Sequence, residues 1–239
     1  MSTDRYVIAG LKVEMETIGE LLQRRSQKYL CNFSDTPDII IMTDRSKWDI
    51  LKSRDAELSD QMCEYITTSA MFYNSLIAHD GFLLHSSAVE FGGKAYMFTA
   101  DSGTGKSTHT RLWRQYIKSV NMINDDKPAV RLIDGEFYAA GTPWSGKTDQ
   151  NASVLVPVGA AALLYRSEQN EISPADKKTA VHAFLKQTLL PADPTYTDRL
   201  AVLLDKFIRT VPIYNFGCNI SEDAVKTSFE AMTKQKYGV

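Results

Sequence analysis

Paired cysteines are missing from this chain: of its 239 residues only Cys31, Cys63 and Cys218 carry thiols. They are far apart, odd in number and outside metal-ligand spacing. Neither a disulfide scaffold nor a zinc site is therefore expected, but reduced, buried and inert thiols. An excess of basic charge is missing too. Lysine and arginine total 27 against 29 acidic residues, a formal net charge of -2, which withholds the electrostatic footprint that binding to nucleic acid requires. No apolar run approaches the roughly 20 residues of a membrane helix. The opening MSTDRYVIAG lacks the basic cap and continuous apolar centre of a secretory leader. The expectation is a cytoplasmic protein with no nucleic-acid partner and no membrane partner. Repeats and low-complexity tracts are also absent, and glycine (13) and proline (8) are modest, which excludes disorder as the main state.

What is present is the composition of an ordinary globular protein, 44% hydrophobic and 23% charged. The length allows one substantial domain, or one with a small appendage. Residues 5 to 55 mix short apolar runs (YVIAG, DIIIMT) with charged stretches and predict short strands and a helix, a small N-terminal α/β subdomain over 1–55. From Glu57 to Ala78 apolar residues recur at helical spacing behind Ser59, a capping residue. Two β-rich runs follow, FLLHSSAVEF and KAYMFTA, joined by Gly92-Gly93 as a tight hairpin. A helix is expected over Ser107 to Tyr116, a strand near Val120 to Asn124, and a hairpin over Ala129 to Ala140 turning at Asp134-Gly135. SVLVPVGAAALLYR reads as two strands broken at Pro157-Val158-Gly159. Helices are expected over Pro174 to Leu190, Thr197 to Thr210 and Ser221 to Lys234, with the strand VPIYNFG between the last two. The mixture of hairpins and helices predicts an α/β protein with a mixed sheet over 56–239.

The chemistry concentrates in ADSGTGKST, residues 100 to 108. This run fits the Walker A pattern, with Ala100 where the strictest form has glycine. An apolar strand precedes it and helix-forming sequence follows, the context that the pattern needs. Gly103 and Gly105 let the backbone bend so that the N–H groups of Ser102, Gly103, Thr104 and Gly105 converge on phosphate oxygens. The helix that opens next, through Ser107 and Thr108, adds its dipole. Lys106 is placed to neutralise the terminal phosphates, and the Ser107 hydroxyl to sit on Mg²⁺.

Magnesium prefers carboxylate oxygen besides phosphate and water. VNMINDDKP supplies Asp125 and Asp126 at the end of an apolar strand, where a Walker B-type acid is expected; one can hold the metal while the other accepts a proton. His85 interrupts the apolar strand upstream of the loop, and a core or surface role is as plausible for it as an active one. The loop GTPWSGKTDQN, residues 141 to 151, is a structured turn. Either Lys147 reaches phosphate or an acidic acceptor, or Trp144 anchors a purely structural turn. His109, Arg111 and Arg114 fall on the helix after the phosphate loop, where they meet the nucleotide or solvent; solvent is preferred for the two arginines.

Taken together, HSSAVEF, the hairpin, YMFTADSGTGKST, INDD and GTPWSGK resemble the catalytic domain of HPr kinase/phosphorylase, a family related to phosphoenolpyruvate carboxykinase. The similarity covers roughly residues 80 to 165. The resemblance implies a carboxykinase-type nucleotide fold with the phosphate loop between strands of a mixed sheet. It also implies roles: Lys106 on the transferred phosphate, Ser107 and Asp126 on Mg²⁺, Asp125 as general base toward a serine hydroxyl, and His85 in the active site. The first 55 residues match nothing in that family's N-terminal domain.

The expectation is a Mg²⁺-assisted, ATP-dependent kinase that phosphorylates serine in a small protein or peptide. Two alternatives use the same loop: a kinase for a small-molecule hydroxyl, such as an amino acid or sugar, and a nucleotide-dependent switch without a phosphorylated product. ATP, GTP and pyrophosphate stay open as donors, and so does association into a homo-oligomer.

Overall fold

The computed structural model describes residues 2–238. It opens on a hairpin, β1 (Ser2–Ile8) and β2 (Leu11–Thr17), whose connection at Ala9-Gly10 adopts the positive φ values, 54° and 75°, that tight hairpins use. Alternation along β2 buries Leu11, Val13 and Met15. Helix α1 (Glu20–Ser26) follows, then β3 (Ile39–Ile41), which joins β2 in parallel to complete a three-stranded sheet. After α2 (Ser46–Arg54) comes α3 (Asp60–Ala78), with Ser59 accepting the Met62 N–H as the predicted cap. Tyr6, Ile8, Val13 and Met15 of the first sheet share one apolar core with Phe72, Tyr73 and Leu76 of α3 and with Trp144. Their burial against a common helix fixes the N-terminal strands to the rest of the chain.

The second sheet has nine strands: β4 (Gly81–Leu83), β5 (Ser86–Phe91), β6 (Lys94–Thr99), β7 (Asn121–Asn124), β8 (Ala129–Ile133), β9 (Glu136–Ala140), β10 (Leu155–Arg166), β11 (Glu171–Pro174) and β12 (Ile213–Cys218). Its order is β4-β8-β9-β10-β6-β5-β7, with β12 beside β10 and β11 beside β12. The β10–β6 and β10–β12 pairs are parallel and the remaining pairs antiparallel. This is the mixed α/β architecture that the pattern predicts.

Residues of β10 alternate between two cores. Ala161 and Leu163 join Phe184, Leu203 and Phe207 of α5 (Lys177–Lys186) and α6 (Pro194–Thr210). Ala160, Ala162 and Leu164 join Trp113 and Phe229 of α4 (Lys106–Tyr116) and α7 (Glu222–Thr233). Helices thus cover both faces around the central strands. Among the described residues no helix is long and apolar enough to cross a membrane.

Five expectations need correction. Leu155 to Arg166 is one strand of 12 residues: its start pairs with β9, its remainder with β6, and the register slips between Val158 and Ala160. Pro157 and Gly159, which read as a break, instead make a bulge where the strand changes partners. FLLHSSAVEF is divided between β4 and β5, because Phe82 pairs with β8 while Ser86 onward pairs with β6 and β7. Helix α5 starts only after Asp176, whose carboxylate caps the Thr179 N–H, since residues 171–174 are taken by β11; α6 starts three residues early, behind its cap Asp193. Finally, Cys63 and Cys218 are buried but Cys31 is exposed.

Candidate functional site

Strand β6 ends at Thr99 and α4 begins at Lys106, so residues 100–105 form the loop between them. Gly103 and Gly105 have φ of 77° and 127°. A Cβ on either would meet nothing within 4 Å, so glycine is demanded here by backbone conformation and not by space. The first N–H groups of α4 have no intrahelical acceptor and, with the helix dipole, favour an anion at this end.

Lys106 folds over the loop, its Nζ donating to the carbonyl oxygens of Ala100 (2.8 Å) and Asp101 (3.4 Å). Burial lowers its pKa, against the opposing pull of Asp126 and Asp101.

The acid pair follows β7, whose last residue, Asn124, is fully buried. Its side-chain oxygen accepts the N–H groups of Asp126 (2.9 Å) and Lys127 (2.8 Å), while its amide nitrogen donates to the Thr142 carbonyl (3.2 Å). This local turn aims the two carboxylates in different directions. The Asp126 Oδ1 lies 2.7 Å from His85 Nε2, and Gln187 holds the other ring nitrogen through its Oε1 at 3.1 Å. Burial acts to raise the Asp126 pKa, but the His85 hydrogen bond, with the charges of His85, Lys127 and Lys106, outweighs it and holds the carboxyl below the usual range. His85 sits at the break between β4 and β5, where its own N–H donates to the Gln187 carbonyl (2.6 Å). The break is what frees its ring for Asp126.

Asp125 is held from the other side. Its Oδ1 accepts the Gly146 N–H (2.6 Å) and its Oδ2 the Thr148 hydroxyl. A Cβ at Gly146 would lie 2.9 Å from that Oδ2, so the approach requires glycine. If the chain has the phosphotransferase activity expected from its sequence, Gly146→Ala should displace Asp125 and lower that rate by about 10- to 100-fold, with nucleotide affinity nearly unchanged, as read from steady-state kinetics beside calorimetry.

The loop carrying Gly146 is itself pinned. Trp144 is buried and stacked on Phe72 at 4.9 Å, as the structural alternative for this loop has it. Arg25 of α1 donates to the carbonyls of Ser145 (3.0 Å) and Gly146 (3.1 Å), and Tyr65 of α3 donates to Ser145 (2.6 Å). Lys147 is exposed.

One cavity of about 270 Å³ collects these groups: it is lined by Ser102, Gly103 and the run Gly105 to Thr108, with His85, Asp125 and Asp126 opposite. Thr104 is the one residue of the predicted loop set outside its lining. The Ser107 hydroxyl lies 3.5 Å from the Asp125 carbonyl, so it faces the acid pair. Among the described residues no group of three or more His, Cys, Asp or Glu side chains gathers as a metal site. One hydroxyl and two carboxylates nonetheless fit the ion expected here, because Mg²⁺ takes few protein ligands and completes its shell with water and substrate phosphate.

Sequence reasoning missed Arg166, whose guanidinium caps the Gly103 carbonyl (2.6 Å), and Gln187, which also reaches Asp101 Oδ1 (3.1 Å). Neither lies near the motif in sequence, and no local pattern marks them.

Arg111 and Arg114 are exposed, as preferred, but His109 is buried against Phe98 and Phe216. Its Nε2 accepts from the Trp113 indole (3.1 Å), and burial pushes its pKa down to about 3. The folded protein therefore binds one proton fewer at this residue than the unfolded chain between about pH 6.5 and 3. His109 stabilises the fold fully above that window and less as the pH falls through it. The unfolding free energy should drop by about 1.4 kcal/mol per pH unit more than in His109→Gln, as measured by urea denaturation from about pH 6 to 4, inside that window.

No protein-family model matches the sequence, and no curated protein matches it. Among solved structures, the HPr(Ser) kinase/phosphatase from Coxiella burnetii aligns with a TM-score of 0.33 at 11% identity, over 64% of this chain and 93% of that chain. At that TM-score the functional reading is left to the residues of the chain itself.

Proposed function

We propose that this chain is a nucleotide-dependent, Mg²⁺-assisted phosphotransferase whose acceptor is a serine hydroxyl of a small protein or peptide. The observation that supports it most is convergence. His85, the loop from Ser102 to Ser107, and the Asp125-Asp126 pair come from separate parts of the chain, yet they line one cavity.

In this reading the backbone N–H groups of the loop and of the α4 N-terminus bind the β and γ phosphates of ATP, GTP or a related donor. Lys106 exchanges its two loop carbonyls for phosphate oxygen, which its ammonium prefers by charge. Mg²⁺, when bound, would neutralise charge that develops on the phosphates. Ser107 and Asp126 are the groups to hold it, Asp126 because His85 and the nearby lysines keep it ionised. Asp125 would accept the acceptor's proton: two of its roughly four lone-pair positions are filled by Gly146 and Thr148, which orient it and leave room for a hydroxyl. The carboxykinase-type fold belongs to the same proposal and draws support from the phosphate loop lying between β6 and α4 of a mixed sheet. Residues 1–55 would then act as a small subdomain that secures the 141–151 loop through Arg25. In this scheme Lys147 is reserved for the acceptor side.

Incubation with ATP labelled in its γ-phosphate, in separate pools of serine peptides and of metabolites, tests this reading. Label on peptide serine is expected. Label confined to small molecules would replace the acceptor class, and release of free phosphate alone from every pool would favour a nucleotide-dependent switch.

A further inference from the structure

A second and larger cavity, about 790 Å³, opens beside the phosphate loop. It shares Gly103, Gly105 and Thr108 with the smaller one, so the two meet along the same turn. Its floor is apolar: Leu112 of α4, Leu164 of β10 and Cys218 of β12 are all buried there. At its mouth stands Ile220, which is 77% exposed although large and apolar. Arg166 and Glu168 add a planar cation and an exposed carboxylate to the wall. A concave, mostly apolar space of several hundred Å³ with a few polar groups is the usual form of a small-ligand pocket. The cavity on the opposite side of the loop, near Gln187, measures only about 270 Å³.

We infer that this large cavity receives the nucleoside of the donor, its base sandwiched between the Leu112-Leu164 floor and Ile220 and its ribose hydroxyls facing Glu168; the inference rests on the nucleotide reading above. The donor is on this view a nucleoside triphosphate and not pyrophosphate. A triphosphate seated at the turn has its outer phosphates in the acidic cavity and its nucleoside end directed along Gly105 and Thr108. Arg166 suits the junction. Its guanidinium already anchors on the Gly103 carbonyl (2.6 Å) and approaches that of Thr104 (3.5 Å), and its flat face can pack on a base or ribose.

Calorimetry with Mg²⁺ should show ATP binding at least about tenfold more tightly than inorganic tripolyphosphate, because only ATP fills the apolar space. Ile220→Asn alters an exposed side chain, so folding is retained. It should remove most of that difference while leaving the tripolyphosphate affinity unchanged. In parallel, an ATP analogue with a photoreactive azide on its base should label the segments 164–168 or 218–220, and excess tripolyphosphate should suppress the labelling. Equal affinity for ATP and tripolyphosphate, or labelling of α5 instead, overturns the inference while leaving the phosphate site intact. Binding of neither ligand overturns the nucleotide reading itself and this inference with it.

Discussion

Asp125→Asn is expected to lower phosphoryl transfer to a hydroxyl acceptor by about 10²- to 10⁴-fold, the range that a positioned general base supplies. Affinity for the Mg²⁺-nucleotide should stay close to that of the native protein. The reason lies in how the acid is held. The Gly146 N–H (2.6 Å) and the Thr148 hydroxyl fix the carboxylate from the loop side, and an asparagine keeps one acceptor oxygen for them. Geometry is preserved while the proposed proton acceptor is lost, so the effect should fall on the catalytic rate and not on substrate binding. Asp126→Asn should behave differently. It removes charge from the group assigned to the metal, so the Mg²⁺ concentration needed for half-maximal rate should rise. Transfer by Asp125→Asn at near native rate would take Asp125 out of the role of base.

The second large effect is expected from Lys106→Met, which should reduce both nucleotide affinity and transfer, the rate by about 10²- to 10³-fold. In the proposed reaction the ammonium is needed in the ground state and more so as charge develops on the transferred group. Stability should move the other way. Lys106 is 7% exposed, its acceptors among the described residues are two loop carbonyls, and burial already lowers its pKa. Replacing it with an apolar side chain of similar length relieves that cost, so the melting temperature should hold or rise while activity falls, the trade-off expected of a residue kept for function. A fall in melting temperature together with retained activity would mark Lys106 as structural instead.

The centre of this site was legible in the sequence because its determinants are local. A strand, a glycine-bent turn and a helix occupy consecutive residues from Lys94 to Tyr116, and each leaves its own pattern. The acid pair could be read for the same reason, as polar residues closing an apolar strand. His85 was legible only as an anomaly: that it meets Asp126, and not a core partner, depends on the break that sends β4 and β5 to different neighbours. In the 141–151 loop the sequence drew attention to Lys147, yet the contacts to Asp125 come from a backbone N–H and a threonine on either side of it. Backbone donors carry no residue signature. Arg25, Arg166 and Gln187 were beyond reach for a simpler reason: each meets the site through contacts of 62 to 121 residues in sequence separation, which only the completed fold creates. The bulge in β10 shows the converse. Pro157 and Gly159 correctly signalled irregular backbone, but whether a strand ends or bends there is decided by the partners on each side.

A crystal structure with Mg²⁺ and a non-hydrolysable ATP analogue tests the central assignment most directly. The β and γ phosphates should lie on the N–H groups of residues 103–107, with Lys106 turned from the Ala100 carbonyl to phosphate and the metal on Ser107 and Asp126. An analogue bound elsewhere, or an empty turn at saturating analogue concentration, would contradict it.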